Sequence, residues 1–216
     1  MRKLIIDTSH EISYVILADG NKILFFEKII GNKNLSKILL PTIEEILKQS
    51  FSLDKLTYIA LSFGPGSYTG IRVAGSIAKI FSLVKKLPLV GYISLQAYSP
   101  NIDGKFLSIF DAKSEKFYVL EGEKNQNTIN FSQKPKLIFL EDLKKYFENY
   151  KTIVSPDSDI LLKYLDSEKD KINIFKSEIN PNTLISLTDS LFINKKILNS
   201  SNFDLLYLND PTTACK

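Results

Sequence analysis

Leu4-Ile5-Ile6-Asp7-Thr8-Ser9-His10-Glu11 is echoed at a constant offset by Ser108-Ile109-Phe110-Asp111-Ala112-Lys113-Ser114-Glu115. Ile5 pairs with Ile109, Asp7 with Asp111 and Glu11 with Glu115, and the register runs on into Tyr14 with Tyr118 and Val15 with Val119. Each copy reads as a buried strand ending in Asp, a short polar turn and a second strand. An internal repeat of this kind governs the reading of the whole chain. It points to two copies of one α/β lobe facing each other across a cleft, with Asp7 and Asp111 at the ends of the two first strands. Chance is the competing explanation, since unrelated strand–turn–strand units share composition.

Outward from the first copy, Ser13–Ala18 and Lys22–Ile30 read as antiparallel strands around an Asp19-Gly20 hairpin turn, where both residues tolerate positive φ. After a polar break at Gly31–Asn34 the period becomes helical. Leu39, Ile43, Ile46 and Leu47 share one stripe, and Pro41 places the helix start near Lys37–Leu40 because proline is tolerated in a first turn. Thr57–Phe63 is an apolar strand. Ile71–Lys85 is a second helix with Val73, Ile77, Phe81 and Val84 on its core stripe, stopped by Pro88 before a strand at Leu89–Ile93. A linker at Ser99–Lys105 opens the second half, which holds strands at Phe106–Phe110, Phe117–Glu121 and Ile129–Ser132. Helices follow at Leu140–Tyr150, Asp159–Leu165 and Thr183–Phe192, the last with Asn182 as N-cap.

The chain has 216 residues, 44% of them hydrophobic, enough for one large domain or two small lobes. Lys and Arg number 28 against 24 Asp and Glu, and a net charge of +4 permits a nucleic-acid partner without implying one. A single cysteine, Cys215, excludes an internal disulfide and a Cys-based zinc site. The one histidine, His10, leaves no two-histidine metal site and reads, beside Glu11, as a solvated turn residue. The apolar run after Met1 stops at Asp7, and no run approaches the ~20 residues of a membrane helix. The expectation is a soluble cytoplasmic protein with no membrane partner.

Gly64-Pro65-Gly66-Ser67-Tyr68-Thr69-Gly70 joins an apolar strand to a helix. Glycines allow close backbone approach, and the free N–H groups of a helix start can bind an anion. The loop lacks the Gly-Lys-Ser/Thr of a P-loop, and Thr69 stands where a dinucleotide-binding fingerprint needs glycine. A tight connection capped by Ser67 or Thr69 accounts for it equally. Gly70, Ala74 and Ala78 then recur every four residues with Gly75 beside them, a strip of small side chains. Such a strip serves close packing within the lobe or a helix–helix interface with another chain.

Three segments together resemble the TsaB (YeaZ) family. Phe63-Gly64-Pro65-Gly66-Ser67-Tyr68-Thr69-Gly70-Ile71-Arg72 looks like its Gly-Pro-Gly-Ser-Phe-Thr-Gly-Val/Ile-Arg signature. Phe110-Asp111-Ala112-Lys113-Ser114-Glu115-Lys116-Phe117-Tyr118 is similar to its Ile-Asp-Ala-Arg-x-x-Glu-Val-Tyr, and the opening Ile5-Ile6-Asp7-Thr8-Ser9 also fits. Leu39-Leu40-Pro41 and Leu206-Tyr207-Leu208 add weaker support. The likeness covers most of the first 120 residues and thins between Glu121 and Phe203.

The resemblance implies an α/β, actin-like (ASKHA, ribonuclease H-like) fold of two lobes, each a mixed β-sheet flanked by helices. Residues 1–98 would form the N-terminal lobe with the partner-binding helices. Residues 99–216 would form a smaller C-terminal lobe, its last residues packing back on the first. The implied role is a non-catalytic subunit acting with a TsaD-like transferase and a TsaE-like ATPase. Together they place threonylcarbamoyl on N6 of the adenosine next to the anticodon in tRNAs reading codons that begin with A. ATP and a divalent metal would be used by the complex, with no cofactor on this chain alone. Contact with tRNA would come through the complex, and the isolated chain would be a homodimer through the same face.

The implied interface lies on Lys37–Gln49 and Gly70–Lys85, with Leu39, Thr42, Ile46, Gly70, Ile71, Arg72, Ala74, Gly75 and Ala78 as its residues. No residue is assigned to catalysis or to metal. Asp7, Gly64, Gly66, Ser67, Thr69 and Asp111 would form a vestigial nucleotide or anion site. Three positions depart from the family: Leu35 where a His is frequent, no glycine in Thr8-Ser9-His10-Glu11, and Asn209 where an Arg is frequent. The alternative from another class is a small actin-like kinase or nucleotide-binding enzyme, with Asp7 and Asp111 holding hydrated Mg²⁺. A metalloprotease has too few histidines to draw on, and a stand-alone tRNA binder too little positive charge.

Overall fold

The computed structural model describes residues 1–31, 34–126, 128–199 and 203–208. In chain order the elements are β1 (Arg2–Asp7), β2 (Ile12–Asp19), β3 (Lys22–Ile30), α1 (Leu35–Ser50), β4 (Tyr58–Ser62), α2 (Tyr68–Lys85) and β5 (Leu89–Tyr92). Then come β6 (Gly104–Asp111), β7 (Lys116–Asn125), β8 (Thr128–Phe131), β9 (Lys136–Phe139), α3 (Leu140–Lys145) and β10 (Thr152–Ser155). The last are α4 (Ser158–Tyr164), β11 (Asn173–Lys176), α5 (Pro181–Ile193) and β12 (Ile197–Leu198). No helix among the described residues is long and apolar enough to cross a membrane.

Two compact units result. The first comprises Met1–Ser94 with Asn180–Tyr207, the second Leu95–Ile179 with Leu208. The boundary therefore corrects the 98/99 division: the helix at Thr183–Phe192, counted by sequence with the second lobe, belongs to the first unit.

The first unit's sheet runs β12-β5-β4-β1-β2-β3, the second's β11-β10-β6-β7-β8, with β9 also on β7. In each, three antiparallel strands are followed by two parallel ones reached through helices, as parallel pairing requires a crossover. β8 and β9 divide between them the place that β3 fills alone. The fold is α/β and actin-like, a mixed sheet with flanking helices built twice.

The repeat is real in topology but slipped by one residue in its first strand. Leu4 and Ile6 point to the core under α1 and α2, while Leu107 and Ile109 point to the core under α3 and α4. The first strands thus correspond at an offset of 109 − 6 = 103. Ile6 faces Val15 and Ile109 faces Val119 across their hairpins, so the second strands correspond at 119 − 15 = 104. A one-residue shift turns every side chain to the other face. Asp7 lies on the face opposite α1 and α2, whereas Asp111 lies on the α3/α4 face. The expected pairing of Ile5 with Ile109 and Asp7 with Asp111 is overturned, while Tyr14/Tyr118 and Val15/Val119 hold. The extra residue sits in the turn after β6, where Lys113, Ser114 and Glu115 all have positive φ.

Two helix starts and one helix face differ from expectation. α1 begins at Leu35, so Pro41 falls in its second turn rather than its first. Pro41 is exposed there, so the carbonyl its missing N–H would have satisfied is on the solvent side. α5 is capped by Asn180, whose side chain accepts from the N–H groups of Asn182 and Thr183 at 3.0 and 3.3 Å, with Pro181 following it. On α2 the buried residues are Gly70, Ile71, Ala74, Gly75, Ala78 and Ser82. The small strip, not the Val73–Val84 stripe, faces the sheet, because β1 and β4 already fill the core with Leu4, Ile6, Ile59 and Leu61. Val73, Ile77 and Phe81 only flank that core, and Val84 is 69% exposed.

Candidate functional site

The glycine loop is held by its own unit. Gly66 has φ +156°, and a Cβ there would overlap the Ser9 carbonyl; a Cβ on Gly70 would overlap the carbonyl of Thr8. The Ser67 N–H donates to the Ser9 carbonyl at 2.7 Å, and the Thr8 hydroxyl donates to the Gly70 carbonyl at 2.8 Å. Ser67 Oγ caps α2 by accepting from the Gly70 N–H at 3.2 Å. On the other flank, the Leu206 N–H donates to the Phe63 carbonyl at 2.8 Å, and a Cβ on Gly64 would meet the Leu206 carbonyl. These contacts explain the glycines without a ligand: backbone passes where a side chain would stand.

Of the six residues expected to form an anion site, five lie in the first unit and Asp111 lies in the second. Within the first unit, Gly64, Gly66 and Ser67 spend their space or their amides on Ser9 and Leu206, and Thr69 is exposed. Asp7 is buried and accepts from the Ser9 amide (2.9 Å), the Ser9 hydroxyl (2.6 Å) and the Tyr92 hydroxyl (2.8 Å). Burial raises its carboxyl pKa against those hydrogen bonds. Asp111, in the second unit, accepts from the amide and the ammonium of Lys113 at 2.9 and 2.7 Å. No group of three or more His, Cys, Asp or Glu fit for a metal occurs among the described residues. Asn209 and Cys215 lie outside the described residues.

The nine residues assigned to a partner interface need a similar correction. Leu39, Ile46, Gly70, Ile71, Ala74, Gly75 and Ala78 are buried inside the first unit. A side chain on Gly75 would meet Leu205 and Phe203, so even that side of α2 is covered. Thr42 and Arg72 alone of the nine reach the surface, Thr42 with its hydroxyl on the Ile38 carbonyl.

What α1 and α2 do expose is apolar in a way sequence reasoning missed. Arg72, Ser76, Ile80 and Leu83 follow helical spacing along the outer side of α2, with Ile80 57% and Leu83 50% exposed and Val84 beside them. On α1, Ile38 and Leu40 are exposed. The signal was present, since Ile80 and Leu83 lie outside both stripes read from the sequence, but periodicity ranks faces without saying which one the sheet covers. Charge is also uneven. The first unit's sequence carries 14 basic and 9 acidic residues, a net +5, whereas Leu95–Ile179 has 13 and 14, a net −1. The second half is rich in lysine without being basic.

The second unit has a cavity of about 410 Å³ lined by Lys105, Glu121, Lys136, Lys145, Tyr146, Asn149 and Tyr150. Four of its polar groups are linked: Glu121 accepts from Lys136 at 2.7 Å and from the Tyr150 hydroxyl at 2.8 Å, and Lys136 also donates to the Tyr146 hydroxyl at 3.2 Å. The Lys136 ammonium holds the Glu121 carboxyl below its usual range, while burial and Glu121 push the Tyr150 hydroxyl up to about 12.

Comparison with known proteins agrees with this architecture. Residues 29–149 match the family described as TsaD: tRNA N6-adenosine threonylcarbamoyltransferase. The protein named tRNA threonylcarbamoyladenosine biosynthesis protein TsaB of Escherichia coli (strain K12) is 32% identical over 136 residues, 60% of this chain and 58% of that one. Its namesake in Buchnera aphidicola subsp. Acyrthosiphon pisum is 29% identical over 133 residues, 57% of this chain and 60% of that one. The aligned part thus spans about 60% of these curated relatives. A crystal structure of an uncharacterized Pseudomonas aeruginosa protein with similarity to peptidase YEAZ superposes with a TM-score of 0.78 at 16% identity, covering 96% of this chain and 99% of that one. YeaZ from Pseudomonas aeruginosa gives 0.73 at 16% identity, with the same coverage; both likenesses speak to the fold. With more than half of its 216 residues inside the family match, and curated TsaB proteins aligned to it, this chain belongs to the TsaB (YeaZ) group of that family.

Proposed function

We propose that this chain takes part in tRNA threonylcarbamoyladenosine biosynthesis as a docking subunit that performs no chemistry of its own. The observation that carries the reading is the outer face of α2, where Ile80, Leu83 and Val84 stand exposed on a helix with no acidic residue from Tyr68 to Lys85. Exposed apolar side chains grouped on a rigid helix mark a protein–protein contact more often than a catalytic surface. The partner in this reading is a TsaD-like transferase that carries the metal. A TsaE-like ATPase, ATP and tRNA come in through the assembly, which works in the cytoplasm. In isolation the same face pairs two copies of this chain.

The kinase alternative loses its motivation. It needed Asp7 and Asp111 as equivalent carboxylates, and the one-residue slip puts them on non-equivalent faces of their sheets.

The test uses the full chain and a TsaD-type subunit. Ile80→Asp and Val84→Asp are expected to abolish co-purification and to stop threonylcarbamoylation in a reconstituted reaction, with melting temperatures unchanged. Retained pairing by both folded variants would refute the docking face. Modification that proceeds without this chain would refute the role.

A further inference from the structure

The outer stripe of α2 begins with an arginine that is held before any partner arrives. The Arg72 guanidinium carbon lies 3.8 Å from the centroid of the Tyr68 ring and 5.5 Å from that of Tyr207. The two rings are 5.2 Å apart and tilted, and Arg72 Nε donates to the Tyr207 hydroxyl at 2.9 Å. Tyr207 is itself fixed, because the Leu206 N–H is bonded to the Phe63 carbonyl. Among the described residues no carboxylate pairs with Arg72, although it is exposed. Arginine stacking on tyrosine rings is favourable and removes side-chain freedom. With Nε occupied, the two terminal nitrogens remain, and their planar fork fits a carboxylate.

We infer that Arg72 is a preset anchor for an Asp or Glu carboxylate on the partner subunit, and that Tyr68 and Tyr207 are its positioning residues. The inference rests on the docking role proposed above and adds the chemistry of the partner surface: an acidic residue set about 12 Å from an apolar patch, the rise of eight helical residues from Arg72 to Ile80. A phosphate is a poorer fit. Two of the amides at the start of α2 that would share it are spent, Ser67 N–H on Ser9 and Gly70 N–H on Ser67 Oγ. The other cation on this helix with no carboxylate among the described residues, Lys79, lies two turns away.

The experiment titrates full-length variants against a TsaD-type subunit by calorimetry at low and moderate salt. Arg72→Ala weakens binding about tenfold or more and flattens its salt dependence. Arg72→Lys stays close to the alanine variant, because a point charge does not replace a held fork. Tyr207→Ala loses several-fold with Arg72 still present, and Tyr207→Phe, which keeps the stacking ring, falls between it and the parent. Circular dichroism melts confirm each variant as folded. The anchor is refuted if Arg72→Ala binds like the parent, if Arg72→Lys restores full affinity, or if Tyr207→Ala has no effect. It is also refuted if inorganic phosphate or ATP binds the chain alone and is lost in Arg72→Ala. Should Ile80→Asp release the partner while the Arg72 variants keep it, the docking face stands and the anchor falls; should none of them alter affinity, the docking reading falls as well.

Discussion

The ammonium of Lys3 lies 2.7 and 2.6 Å from the two carboxylate oxygens of Asp189, with the lysine fully buried. Lys3 also donates to the Gly20 carbonyl at 2.9 Å, and the Tyr58 hydroxyl donates to Asp189 at 2.8 Å. Burial above all, and then Asp189, raise the Tyr58 pKa, which keeps that hydroxyl a donor. The network ties α5 to β1 and β4 on the face opposite α1 and α2, and so fixes a helix from late in the chain to its first strand.

Removing one partner leaves a buried charge uncompensated, which costs about 3–5 kcal/mol. Lys3→Met and Asp189→Asn are each expected to lower unfolding free energy by about that amount, read from urea denaturation. Lys3→Met with Asp189→Leu should recover much of the loss, since an apolar pair replaces an ionic one. Single variants as stable as the parent would show that the pair does not hold α5.

The glycine loop gives a contrast within one protein. Gly66→Ala and Gly70→Ala force backbone against backbone at Ser9 and Thr8, where nothing flexible can yield. Each should cost about 3 kcal/mol or more, at the upper end of overpacking. Gly20→Ala meets no atom within 4 Å and suffers only its φ of +59°, a cost of about 1–2 kcal/mol. Thermal melts of the three variants rank them. Equal losses would mean that the close approach is not what the loop glycines serve.

Stability and docking should separate on α2. Ala74→Leu adds bulk against the sheet at a site with no exposure and is expected to destabilise by about 1–3 kcal/mol. Leu83→Ser, half exposed, should change stability by no more than about 0.5 kcal/mol while weakening association with the partner. A folded, unperturbed Ala74→Leu protein would contradict the inward placement of the small strip.

Asp7 sets a pH dependence. Its folded carboxyl titrates above the ordinary 3.8 because burial disfavours the charge. The folded state therefore holds that proton more tightly than the unfolded chain. This contribution is present below the unfolded value and is lost as pH rises through the folded one. Asp7→Asn removes the dependence, so its stability relative to the parent should grow as pH rises above the ordinary carboxylate value, measured as urea midpoints at a series of pH values. A difference that shrinks with rising pH would reverse the assignment.

Much of this was legible from residue order. The apolar strands and the α1 stripe of Leu39, Ile43, Ile46 and Leu47 occur where local periodicity places them, and the hairpin turn falls one residue later than read, at Gly20-Asn21, with Asp19 paired to Lys22 at the end of β2. The two-unit plan was legible too, because strand and helix order repeats. The Asp7/Asp111 match was a false extension. A sequence echo records alignment, while the face a side chain occupies depends on hairpin register, and Lys113–Glu115 absorb one more residue than the first turn does.

Sequence alone pointed to a twofold α/β chain resembling the TsaB family, since its signature loop, small-residue helix and repeated strand–turn–strand are all local patterns. Only the tertiary structure decided which face of α2 is inside, that the loop glycines serve Thr8, Ser9 and Leu206, and that Tyr207 reaches Arg72. The reason is common to all three: burial and close approach are set by what a distant segment brings alongside, and no window of neighbouring residues contains that information.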